Sequence, residues 1–268
     1  MQSTLQKSLP GFNDLDPGHY SWRLRLDALL NVGVSAGADL VEVFLERTDH
    51  LGVLAEQDKI TSVGPSFGMG AGIRVFRAGR DGFVSTNDLS DQGLEEALQQ
   101  ALAMLQLNAS TLSSGSSFDG LGPLRDYGSC KNNWLDRTPD LVTITQRLLE
   151  GTHCLEKRGQ HLDVRRGSFA RDWQEVLVAA SDGTFARDIR LHQSSGLSVL
   201  AADGEHRSSI ARRYGSSDRP DDLCHWNVDA SAQEVCDSAA KMLRADYVDG
   251  GQMPVVLANR FGGVIFHE

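Results

Sequence analysis

The sequence predicts an α+β protein: an N-terminal helix and antiparallel-sheet unit, then an antiparallel β-rich middle domain with flanking helices, then the first strand and helix of a further, truncated domain. Three observations carry this. Apolar and polar residues alternate with period two in two blocks, one near Leu40–Thr86 and one near Leu162–Tyr214, as in sheets wet on one face. Tight turn pairs, Asp182-Gly183 and Asp203-Gly204, join the strands of the second block. Helical spacing occurs between the blocks and not after each strand, which argues against a parallel βαβ sheet.

The first 19 residues are polar, with Pro10, Gly11, Pro17 and Gly18, and read as a loose lead-in. From Tyr20 to about Ala36, Trp22, Leu26, Leu29, Leu30 and Val34 repeat at helical spacing. Leu40–Arg47 alternates as a strand, Leu51–Glu56 as a second, and Ile60–Val63 as a short third after the Gln57-Asp58-Lys59 turn. Gly68, Gly70 and Gly72 then invite a dinucleotide-binding reading. It fails, because Ile73 stands where the third glycine belongs and a strand, Ile73–Arg77, follows in place of a helix. The glycines are better explained by close backbone approach within a sheet. A turn at Gly79–Gly82 leads to a strand at Phe83–Thr86. An amphipathic helix from about Asp91 to Leu107 presents Leu94, Ala97, Leu98, Ala101, Leu102 and Leu105 on one face.

Residues 109–129 are rich in Ser and Gly and make the best domain boundary. The predicted division is 1–125, 126–248 and 249–268. Asp140 is placed to cap a helix over Leu141 to about Arg158. The second block reads as strands Leu162–Arg171, Glu175–Ser181, Thr184 to about Ala202, and His206–Tyr214. These strands carry eight arginines, Arg165 to Arg213, interleaved with acids such as Asp163, Glu175 and Asp188. Near-cancelling charge predicts a solvated face laced with ion pairs and not an RNA surface. Ser231 is read as the cap of a helix to about Arg244, bearing Val235, Ala239 and Met242. Met253–Leu257 reads as a buried strand, and Asn259 as the cap of a last helix ending at His267 and Glu268.

Composition narrows the classes. Hydrophobic residues make up 40% of the 268 and charged residues 23%, as in a globular protein. The net charge of -10 argues against nucleic acid as a partner. No apolar run approaches the roughly 20 residues that span a bilayer, and Met1–Pro10 lacks the apolar core of a signal peptide. A cytoplasmic protein with no membrane partner is the expectation, which leaves the Asn108-Ala109-Ser110 sequon without meaning. Cys130, Cys154, Cys224 and Cys236 form no CxxC pair, and Cys154 and Cys236 read as buried, reduced thiols. Cys224-His225 is a soft-ligand pair with nothing nearby to complete a metal site.

Three segments, in this order, resemble the TldD/PmbA family of metallopeptidases, and its TldD-like branch in particular. They are Gly70–Val75 followed by Gly82–Asn87; Ala180–Gly183 followed by Asp188–Arg190 and Ser198–Ala201; and Gly262–Glu268, an apolar run that delivers His267 and then Glu268. The resemblance implies an HExxxH motif whose first two residues are His267, as the first zinc ligand, and Glu268, as the general base. Five-residue spacing does not keep two histidines on one helix face, so the helix must widen or end between them. The second His and a distant Cys ligand of the family are not in this chain. Zinc needs three protein ligands and an open position, so this chain alone is expected to be inactive.

The resemblance further implies hydrolysis of unfolded or extended peptides, strand edges offered to such peptides by β-addition, and ring-like dimers, either homodimers or heterodimers with a metal-free family partner. The second reading is a non-catalytic peptide-binding or assembly module without metal, from a family also labelled a modulator of DNA gyrase. The final twenty residues, lacking downstream packing partners, are expected to be mobile or sticky.

Overall fold

The computed structural model describes residues 20–108, 118–128, 131, 134–217, 219–247, 249–257 and 261–267. Its centre is one seven-stranded sheet in the order β3-β2-β1-β5-β6-β4, with β7 also on β6. The strands are β1 Leu40–Glu56, β2 Lys59–Arg77, β3 Arg80–Thr86, β4 Arg125–Asp126, β5 Leu162–Ala180, β6 Phe185–Asp203 and β7 His206–Ser217. All pairings are antiparallel except the short β4–β6 contact. The helices are α1 Tyr20–Ser35, α2 Asp91–Met104, α3 Trp134–Arg137, α4 Leu141–Arg158, α5 Asp222–His225 and α6 Val228–Met242. Among the described residues no helix is long and apolar enough to cross a membrane.

Several predicted strands fuse. Leu40–Arg47 and Leu51–Glu56 are one strand of 17 residues, and Leu162–Arg171 and Glu175–Ser181 are one of 19. The polar stretches that suggested breaks, Thr48-Asp49-His50 and Asp172-Trp173-Gln174, are held extended by pairing: Asp49 lies opposite Trp173, and His50 opposite Asp172. Lys59–Arg77 is likewise continuous through its glycines. There the notion of close approach is right. A Cβ on Gly68 would stand 2.6 Å from the Thr48 hydroxyl oxygen. The turn after β2 falls at Ala78-Gly79, both at positive φ, one step earlier than predicted. Gly82 is therefore not a turn residue. It lies in β3, where a Cβ would come within 2.5 Å of the Ala101 carbonyl of α2.

Odd-numbered residues of β1, β5 and β6 share one face, and every helix cluster packs there. At one end α1 and α2 bury Leu26, Leu30, Leu98 and Leu102 against Val41, Val43, Leu45, Ile73 and Leu177. At the other end α4 and α6 bury Ile144, Leu148, Leu155, Ala232 and Val235 against Val53, Phe169, Leu197 and Val199. Between them Trp134 of α3 covers Trp173, Ile189 and Leu191. The opposite face carries no helix among the described residues, and Phe44 there is 39% exposed. β1 and β5 thus run through both apolar clusters.

Caps fix the helix starts. The Asp140 carboxylate accepts from the Thr143 N–H at 2.8 Å, as predicted. Ser90 does the same for α2. The cap of α6 is Asn227, whose side chain accepts from the Ala230 N–H, and not Ser231. Ser231 lies one turn inside, donating to the Asn227 carbonyl and accepting from the Trp226 indole N–H. Met242 is half exposed and not part of the apolar face.

The last segment differs most from expectation. Met253–Leu257 forms no strand, and its apolar side chains lie open: Val255 is 71% exposed and Val256 96%. Phe261–Phe266 is a 3-10 turn and not an α-helix, with Phe266 86% exposed. Asn259, the predicted cap, lies outside the described residues.

Candidate functional site

His267 follows the 3-10 turn directly. Its backbone N–H donates to the Val264 carbonyl at 2.9 Å, and the residue is exposed. Glu268 lies outside the described residues, as does Cys130. Among the described residues no three His, Cys, Asp or Glu side chains converge as a metal would require. One imidazole cannot hold zinc, so the residues described do not fit the ion by themselves. Cys224 and His225 are both exposed, and the His225 ring lies 3.7 Å from the Asp221 carboxylate.

Polar chemistry concentrates elsewhere, at mid-length on the helix-bearing face. Arg187 and Glu175 are 7% and 4% exposed and form a close ion pair, the guanidinium Nε lying 2.7 Å from Oε1. Asp126 of β4 sits 3.4 Å from the same guanidinium. Arg171 pairs with Asp49 and reaches the Thr138 hydroxyl at 3.2 Å. The Arg47 guanidinium lies 5.1 Å from the Trp173 ring centre and 5.7 Å from that of Phe67. The predicted ion-pair lacing is real, with Arg166–Glu56, Arg190–Asp188 and Arg212–Glu234 on exposed surface. The Arg187–Glu175 pair departs from the predicted solvated face, because it is buried. Its signal was legible: both residues occupy odd positions, in line with Trp173, Leu177, Phe185 and Ile189.

The uncovered face carries a row across three strands. The His50 ring Nδ1 lies 2.7 Å from Asp172 Oδ1, and Asp172 stands opposite His192, whose Nδ1 is 3.0 Å from the Ser217 hydroxyl. This row went unnoticed in the sequence, since only the register brings residues 122 apart together.

A cleft of about 540 Å³ lies between β7 and the start of α6, lined by Ser195, Tyr214, Trp226, Ser231 and Glu234. The Tyr214 hydroxyl donates to Glu234 at 2.9 Å, and burial pushes its pKa above the ordinary value. Burial likewise raises Cys154 and Cys236, so both thiols stay protonated at neutral pH and neither is poised as a nucleophile. Cys236 is buried as predicted, whereas Cys154 is only partly so.

Comparison with known proteins supplies what this geometry does not. Residues 41–105 match the PmbA/TldA metallopeptidase domain 1, and residues 139–243 match the PmbA/TldA metallopeptidase central domain. A metalloprotease TldD homolog of Haemophilus influenzae is 25% identical over 209 residues, covering 74% of this chain and 42% of its own length. One from Buchnera aphidicola is 24% identical with the same coverages. The chain thus spans less than half the length of these relatives. Among solved structures, TldE of Thermococcus kodakarensis superposes with a TM-score of 0.63 at 18% identity, over 81% of this chain and 47% of that one. A candidate modulator of a DNA gyrase from Thermotoga maritima superposes with a TM-score of 0.62 at 11% identity, over 86% and 50%. These two likenesses bear on the fold.

Proposed function

The chain belongs to the PmbA/TldD metallopeptidase family, and from that premise we propose that it serves metal-dependent hydrolysis of extended or unfolded peptides, with zinc as the metal, His267 as a ligand and Glu268 as the general base. The observation that carries the reading is order along the chain. Two matched metallopeptidase domains are followed by an apolar run that delivers His-Glu. His267 alone does not hold a metal, so no catalytic step is assigned to the residues described. Their part is to build the sheet and to place the segment carrying His267.

The alternative is a metal-free peptide-binding or assembly module. Metal content separates the two. The native protein should carry about one zinc per chain and cleave unfolded polypeptide. His267→Ala should lose both metal and cleavage, and Glu268→Gln should keep the metal and lose cleavage. Zinc retained in full by His267→Ala, or no metal in the native protein, would sink the peptidase reading and leave the module.

A further inference from the structure

The cleft between β7 and the start of α6 has no part in the peptidase reading, yet its walls are one-sided in charge and in hydrogen bonding. Its volume of about 540 Å³ is that of a small-ligand pocket. Asp222 and Glu234 line it, and among its described lining residues none is Lys or Arg. Tyr214 of β7 and Trp226 stand together there, with ring centres 6.2 Å apart and planes tilted by 41°.

The hydrogen-bond donors of the cleft are largely spent. The Trp226 indole N–H goes to Ser231, the Ser231 hydroxyl proton to the Asn227 carbonyl, and the Tyr214 hydroxyl proton to Glu234. Acceptors remain. The Asp222 carboxylate makes no hydrogen bond or ion pair among the described residues. Ser195 is 7% exposed, and its hydroxyl also has no partner among them. A hydroxyl so deeply buried is costly to leave unbonded. Glu234 is further held by Arg212 at 3.0 Å, so Asp222 supplies the uncompensated charge.

We propose that this cleft binds the ammonium group of a lysine side chain in an extended polypeptide. An ammonium brings three donors and no acceptor, which matches the Asp222 carboxylate and the Ser195 and Tyr214 oxygens. The two aromatic rings add attraction for a cation. A phosphate would meet carboxylates without a basic side chain, and a hydrocarbon would leave Ser195 and Asp222 unsatisfied. Single oxygen acceptors suit a compact ammonium better than the planar fork of a guanidinium. That the cation is carried by a polypeptide rests on the peptidase reading, whereas the binding of a cation does not.

The test is equilibrium binding to the native chain, read by fluorescence anisotropy, with metal chelated so that no bond is cut. The probe is a labelled Gly/Ser peptide with one central lysine. Acetylating that lysine keeps its length and removes its charge, and should weaken binding about tenfold. Added salt should weaken the unmodified peptide. Asp222→Asn should also cost about tenfold with an unchanged melting curve. Ser195→Ala should weaken binding without lowering the melting midpoint, since its hydroxyl has no partner to lose. Glu95→Gln removes an exposed acid of α2 and should change nothing, which separates the cleft from the overall charge of -10. Equal binding of the acetylated peptide, indifference to both cleft variants, or an equal loss in Glu95→Gln would each overturn the proposal. So would 1,5-diaminopentane binding as tightly as the peptide, because the ligand would then be a free amine. Metal-loaded protein that cleaves peptides while the chelated form shows no preference for lysine would sink the cleft and leave the peptidase reading standing. Lysine-dependent binding by a chain that never cleaves would do the reverse.

Discussion

Arg187 and Glu175 show how a single residue sets local stability. Both lie within the sheet's packed face, and each satisfies the other. Removing one partner strands a buried charge, which costs about 3–5 kcal/mol, whereas replacing both with apolar residues of similar volume is often close to neutral. Arg187→Met should therefore lower the urea midpoint sharply, and the Arg187→Met/Glu175→Leu pair should recover most of the loss. Equal destabilisation by the single and double variants would show that Asp126, not Glu175, is the partner that matters. By contrast, exposed pairs such as Arg166–Glu56 are worth little when cut.

At the scale of elements, the alternation of apolar residues revealed which stretches are strands, and Asp140 was legible as a cap because its side chain acts locally. Strand length was not legible. Thr48-Asp49-His50 carries turn-like residues, and only pairing with β2 and β5 on either side keeps it extended. The α6 start was misplaced by four residues for a similar reason. Ser231 has a capping side chain, but the Trp226 indole donates to it, so Asn227 takes the end. Asn227→Ala should cost about 1 kcal/mol in chemical unfolding, with α6 fraying first by hydrogen exchange. A Ser231→Ala loss that exceeds it would mean that the indole contact, not the cap, secures this turn. The candidate site was legible only as His267-Glu268 in an apolar run. The surrounding geometry is not written locally, because Met253–Leu257 has the composition of a buried strand yet forms no strand and lies largely exposed.

For the whole molecule, two apolar clusters at opposite ends share β1 and β5. Trp22 reports on one end and Trp226 on the other. If the shared strands couple the ends, single-tryptophan variants retaining Trp22 or Trp226 should melt at the same midpoint and coincide with far-ultraviolet dichroism. Separate midpoints would mean that the two matched domains unfold independently despite the common sheet.

That sheet also makes the gene sensitive to phase. Along β1 the side-chain alternation runs unbroken from Val41 to Val53, locking one cluster to the other by parity. Deleting one codon near His50 would leave each end intact in sequence but invert one relative to the other, turning Val53 and Ala55 out to water and Leu54 inward. Length changes can accumulate at the hairpin turns, Gln57-Asp58 or Gly204-Glu205, where no such inheritance passes through. The middle of β1 can change its letters but not its count.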